Sequence, residues 1–194
     1  MIKAVIFDFF GVIGESTYQH IAQKYKLNSK QLVELTDLHK TYDNGFINET
    51  DFLKTYAEII AVDYDWFMKE YQHMLNDFKT SHAVLSYAKD LKNNYKVGLL
   101  SNVADRSYKQ FIEPIKDQFD VVVTSYQVQL AKPDIEIYQI TANKLGVDVS
   151  ECVMVDDNSV NCQGAISAGM QAMAIHFVDI DLLKADLSRL LKNS

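Results

Sequence analysis

The 194-residue chain carries 26 acidic and 19 basic residues, and its formal charge of -7 disfavours a nucleic-acid polyanion or an anionic membrane as principal partner, leaving room for a small anion in a local pocket. Its length suits one ordinary core with a sizeable insertion better than two independent domains. No apolar run approaches a membrane helix and few apolar residues separate Lys3 from Asp8, so the expectation is a cytoplasmic protein without a signal peptide.

The first element is the run from Ala4 to Phe7, which closes on Asp8 and continues Phe9-Phe10-Gly11-Val12-Ile13-Gly14. Such a run fits a strand covered on both faces of a parallel sheet, where ligands collect at the carboxyl ends of the strands. Ionised side chains are seldom buried unless paired or bound to metal, so Asp8 is a site candidate; the plain alternative is a turn or cap aspartate. Four helical patterns follow. They span Tyr18 to Tyr25, Gln31 to His39, Phe52 to Ala61 and Trp66 to Phe78, with Ser16 or Thr17, Asn28 or Ser29, Asn48 or Thr50, and Asp63 or Asp65 as caps. Residues 15–80 therefore read as an all-helical insertion, and residues 1–14 with 81–194 as the core.

Beyond Ser81 the grammar changes to helices alternating with short apolar runs, the arrangement of βαβ units and a parallel sheet. The runs are Lys96 to Ser101, Val121 to Ser125, Cys152 to Asp156 and Ala172 to Ile175; helices are expected over Ser81–Asn93, Asp105–Phe111, Ile135–Leu145 and Val160–Ala168, with a last one from Asp179 to Leu191. The fold class is α/β, a doubly wound parallel sheet with an inserted helical cap. Asp8, Ser101 and the pair Asp156-Asp157 stand at carboxyl ends of strands and are expected to converge at one sheet edge. Cys152 and Cys162 match neither a metal-binding nor a redox pair and read as buried thiols.

Each polar tip has a place in phosphoryl chemistry. A carboxylate such as Asp8 can act as nucleophile and form an aspartyl phosphate, while the Ser101 hydroxyl and Lys132 ammonium hold non-bridging oxygens. Mg²⁺ is the expected cofactor, because this hard cation takes oxygen ligands that Asp8 and Asp156-Asp157 can supply.

Four ordered segments carry a resemblance: Phe-Asp-Phe-Phe-Gly-Val-Ile at Asp8, Leu-Leu-Ser-Asn at Ser101, Ala-Lys-Pro-Asp at Lys132 and Val-Asp-Asp-Asn at Asp156. Together they resemble the four motifs of the haloacid dehalogenase superfamily, whose core is Rossmann-like and whose phosphatases insert a mobile helical cap after the first motif. The resemblance covers essentially the whole chain. It implies Asp8 as nucleophile and metal ligand, Ser101, Asn102 and Lys132 as the phosphate-holding set, and Asp156 with Asp157 as the acidic metal site.

One position departs from the pattern. Family phosphatases usually carry a second aspartate two residues after the nucleophile, as acid to the leaving group and then base for water; here Phe10 stands there. The resemblance leaves Phe10 its backbone carbonyl as a Mg²⁺ ligand. Loss of acid–base help costs roughly 10²- to 10⁴-fold in rate unless another group serves. Glu15, His20 and Asp43 are substitutes that nothing in the sequence positions.

Bland readings stand beside these. Alone, Ser101 reads as a helix cap and Lys132 as a surface lysine, and Asp156-Asp157 can cap the next helix; order and setting reverse the first two. Asn158 and Asn161 read as loop and cap residues. The histidines His20, His39, His73, His82 and His176 lack ligand spacing, and the aromatic residues between Tyr18 and Phe78 read mostly as helical packing. The expected activity is Mg²⁺-dependent hydrolysis of a small phosphorylated metabolite, with sugar phosphates first to try. A haloacid dehalogenase, in which the aspartate attacks carbon without metal, is one alternative, and a catalytically silent phosphometabolite- or protein-binding member is another.

Overall fold

The computed structural model describes residues 1–175 and 179–192. Strands β1 (Ala4–Phe7), β2 (Lys96–Ser101), β3 (Val121–Thr124), β4 (Cys152–Asp156) and β5 (Gln171–Ala174) form one parallel sheet in the order β3-β2-β1-β4-β5. Alternate residues serve opposite faces. Val5, Phe7, Val97, Leu99, Val153 and Val155 pack under α5 (His82–Leu91) and α10 (Ile180–Lys192), while Ile6, Leu100, Cys152 and Met154 pack under α8 (Ile135–Leu145) and α9 (Ser159–Ala168). Burial on both faces accounts for the unbroken apolar runs, each large side chain contributing ~1.5–3 kcal/mol. This is the doubly wound α/β architecture expected from the sequence.

Between β1 and α5 lie α1 (Thr17–Lys24), α2 (Ser29–Asp43), α3 (Glu49–Ile59) and α4 (Tyr64–Asn76). Their N-caps are Ser16, Asn28, Asn48 and Asp63, each accepting a backbone N–H three residues on and each worth ~1 kcal/mol. The helices bury a cluster of their own, built on Leu35, Phe52, Tyr56, Phe67 and Tyr71. The chain leaves and re-enters the core at neighbouring points: Gly14 bridges Thr80, and Ser81 N–H donates to the Ile13 carbonyl at 2.7 Å.

Besides shifts at helix ends, the largest being α2 running on past His39 to Asp43, three local outcomes differ from expectation. The helix foreseen over Asp105–Phe111 is a short α-helical turn, α6 (Asp105–Ser107), followed by a π-turn over Tyr108–Ile112 and a 3₁₀ segment over Glu113–Gln118. Ala104 offers no side-chain cap, and Pro114 lacks the N–H that a continuing ladder needs. Ser125 opens an unforeseen short helix, α7 (Ser125–Val128), and β5 starts one residue earlier than read. Cys152 and Cys162 are buried free thiols. His176 lies outside the described residues.

Candidate active site

Because β1 is central, with β2 on one side and β4 on the other, the carboxyl ends of those three strands are adjacent. That is the topological switch point, where doubly wound sheets leave a crevice. Asp8 follows β1 directly, its N–H donating to the Val155 carbonyl at 2.8 Å and its Oδ1 accepting the Phe9 N–H at 2.7 Å. The Lys132 ammonium is buried between two carboxylates, 2.8 Å from Asp8 Oδ1 and 2.7 Å from Asp156 Oδ2. Asn102 fixes the lysine backbone reciprocally: its Nδ2 donates to the Lys132 carbonyl and its Oδ1 accepts the Lys132 N–H.

Asp156 is wholly buried and hydrogen-bonded on both oxygens. It accepts from Lys132, from the Asn158 N–H at 2.9 Å and from Asn161 Nδ2 at 3.1 and 3.2 Å. Asp157, half-buried at the cleft, accepts from Gln19 Nε2 at 2.8 Å, a link from α1 to the acidic turn. Carboxylate oxygens of Asp8, Asp156 and Asp157 lie within 4.8 Å of one another. Two glycines make this closeness possible. Gly11 has φ +82°, and a Cβ there would sit 2.2 Å from Asp157 Oδ2; a Cβ on Gly164 would meet the Pro133 carbonyl at 2.6 Å.

The electrostatics follow from the count of charges. Three carboxylates face one ammonium, so full ionisation leaves two negative charges uncompensated. Burial, and then the neighbouring Asp156 carboxylate, push Asp8 up to about 8 despite the opposing pull of Lys132. Burial alone would depress Lys132, but Asp156 and Asp8 outweigh it and hold the ammonium above its ordinary range. An all-oxygen donor set with this charge deficit fits a hard divalent cation such as Mg²⁺.

A cleft of about 540 Å³ lies over these residues. Asp8, Phe10, Asn102, Lys132 and Asp157 line it from the core side; Ser101 and Asp156 lie beneath its surface, both fully buried. The Ser101 hydroxyl has no hydrogen-bond partner among the described residues. Phe10 turns its ring into an aromatic cluster, edge-on to Phe9, Phe78 and Phe111. From the helices, α2 contributes His39, Tyr42 and Asp43. Asn161, Gln19 and Ser125 are supporting residues that the sequence did not single out for this site, since their partners are distant in the chain.

Fold and site together define a doubly wound α/β protein with a carboxylate–lysine centre at its strand tips. The family model described as haloacid dehalogenase-like hydrolase matches residues 2–169, and the chain belongs to that family of hydrolases. Among curated relatives, the chain is similar to Phosphatase MT3486 of Mycobacterium tuberculosis (32% identical, covering 70% of this chain and 66% of that protein). It is also similar to the glyceraldehyde 3-phosphate phosphatase of Methanothermobacter thermautotrophicus (27%, covering 100% and 92%). Similar folds include a predicted HAD-like hydrolase of Porphyromonas gingivalis (TM-score 0.72, 22% identical, covering 98% of each chain). A HAD-family enzyme of Bacteroides thetaiotaomicron, crystallised with magnesium and inorganic phosphate, has TM-score 0.70 at 21% identity, covering 92% of this chain and 97% of that one.

Proposed function

We propose that the protein is a Mg²⁺-dependent phosphatase that hydrolyses a small phosphomonoester through an aspartyl-phosphate intermediate on Asp8. The observation that carries this reading is the Lys132 ammonium held between Asp8 and Asp156, with Asp157 completing an acidic set at the strand tips. Lys132 keeps Asp8 oriented and offers positive charge where the phosphoryl oxygens gather; Asn102 holds the lysine in place, and Ser101 is assigned as a further phosphate contact. Asp8, the Phe10 backbone carbonyl, Asp156 and Asp157 would hold Mg²⁺. When bound, the ion supplies charge neutralisation for the phosphoryl group and for the crowded carboxylates. Residues 15–80 act as a cap over the cleft, whose volume of about 540 Å³ suits a small metabolite.

The phosphatase names of the relatives support the same class of substrate, and sugar phosphates are the first esters to test. The experiment is phosphate release from a panel of phosphorylated sugars and other small phosphomonoesters, with Mg²⁺ or chelator, for the native protein and Asp8→Asn. Release that needs Mg²⁺ and disappears in the variant is expected. Equal activity in Asp8→Asn removes the mechanism, and chelator-insensitive carbon–halogen cleavage in its place assigns a dehalogenase.

A further inference from the structure

An alkoxide leaving group departs slowly unless a proton reaches its oxygen, and the water that then attacks the phosphoenzyme must lose one. Position 10 cannot serve, since a phenyl ring occupies it and packs against Phe9, Phe78 and Phe111. Three carboxyl side chains line the cleft: Asp8, Asp43 and Asp157. Asp8 is the proposed nucleophile, and Asp157 is engaged by Gln19 within the acidic set. Glu15 is turned elsewhere, accepting the Lys79 N–H and lining a separate cavity that also holds His20.

We infer that Asp43, at the last turn of α2, is the general acid and base of this site, taking the role that Phe10 cannot fill. The inference rests on the phosphatase reading of Asp8. Asp43 is not carried on a loose segment. Its carbonyl accepts the Ser125 hydroxyl at 2.7 Å, and the same hydroxyl accepts the Val103 N–H at 2.9 Å, so the end of α2 is pinned beside the tips of β2 and β3. Its carboxyl accepts no hydrogen bond among the described residues. The charged and titratable groups around it are Lys132 from the core, Tyr42 on its own helix and Tyr71 on α4; His39 and Lys40 of α2 also line the cleft, Lys40 reaching to Asp134. Burial raises Asp43 to about 7 against the pull of Lys132, where a carboxyl can both give and take a proton near neutrality.

The step balances. As an Asp8 oxygen bonds to phosphorus, the bond to the leaving oxygen breaks with its electron pair, and that oxygen takes the Asp43 proton. The Asp43 carboxylate then takes a proton from water as the water oxygen bonds to phosphorus and the Asp8–phosphorus bond breaks. The products are the alcohol, phosphate and Asp8 carboxylate.

The test compares native protein, Asp43→Asn and Asp8→Asn on a hexose phosphate and on p-nitrophenyl phosphate, whose phenolate leaves without a proton. For Asp43→Asn the expected result is a ~10²- to 10⁴-fold loss of kcat on the hexose ester. On the nitrophenyl ester a burst of about one equivalent of phenolate should precede slow turnover, because forming the phosphoenzyme needs no acid while its hydrolysis needs the base. Double substitution with Phe10→Asp should restore turnover. Native kcat on both esters in Asp43→Asn, with an unchanged thermal melt, overturns the inference while leaving the Asp8 reading intact. Activity surviving in Asp8→Asn would instead strike at the site itself.

Discussion

Lys132 shows how one side chain organises a charged site. A buried ammonium is costly by itself, and its two short carboxylate contacts make it tolerable; removing it would leave three crowded carboxylates without a cation. His39 presents the opposite case. It is boxed by Tyr18, Phe52 and Tyr56, its Nε2 is buried with no hydrogen-bond partner among the described residues, and burial lowers its pKa to about 4. The unfolded chain therefore binds a proton at His39 more readily than the folded one. Stability from this residue is present above about pH 6.5 and is lost as pH falls toward 4. Thermal melts between pH 4 and 7 should show a smaller acid-side loss for His39→Phe than for the native protein; identical slopes would assign the acid sensitivity to other groups.

At the level of elements, the helices meet the sheet through an aromatic contact, Phe78 against Phe9, Phe10 and Phe111, and through a few polar ties. Ser125 fastens α2 to the β2 and β3 tips, Gln19 ties α1 to Asp157, and Arg106 beside β2 pairs with Glu49 and donates to Gln72. These contacts fix the helices at the strand tips, the position that the proposed role of residues 15–80 as a cap requires. Ser125→Ala strips a partner from both the Asp43 carbonyl and the Val103 N–H, a cost of about 1–3 kcal/mol. Urea denaturation should register that loss, and kcat should fall with it as Asp43 loosens. Unchanged stability would mean that the hydroxyl is not a fastening.

Across the whole molecule, the proposed Mg²⁺ site among the crowded carboxylates of Asp8, Asp156 and Asp157 ties cation binding to stability. A ligand that binds only the folded form at 100 times its Kd adds about 2.7 kcal/mol. Mg²⁺ should therefore raise Tm in a concentration-dependent way, with chelator reversing it and Asp157→Asn weakening it. A melt indifferent to Mg²⁺ would remove the proposed metal site. Much of this architecture was legible in the chain. The runs Lys96–Ser101 and Cys152–Asp156 and the helix Ile135–Leu145 have the ends expected from the sequence, because burial on two faces or one writes itself into apolar periodicity. The stretch after Asp105 was misread, since its π and 3₁₀ turns answer to a missing cap and Pro114 rather than to periodicity. The sequence by itself determined the polar residues at the tips of β1, β2 and β4 and the strands that carry them, since those depend on local pattern and order. Only the tertiary structure decided that Lys132 stands between Asp8 and Asp156, that Asn161 and Gln19 brace the acidic pair, and that Asp43, among three substitutes equal on paper, faces the cleft. Those relations join residues far apart in the chain, and nothing in local propensity encodes which distant side chains a packed sheet edge brings within hydrogen-bonding reach.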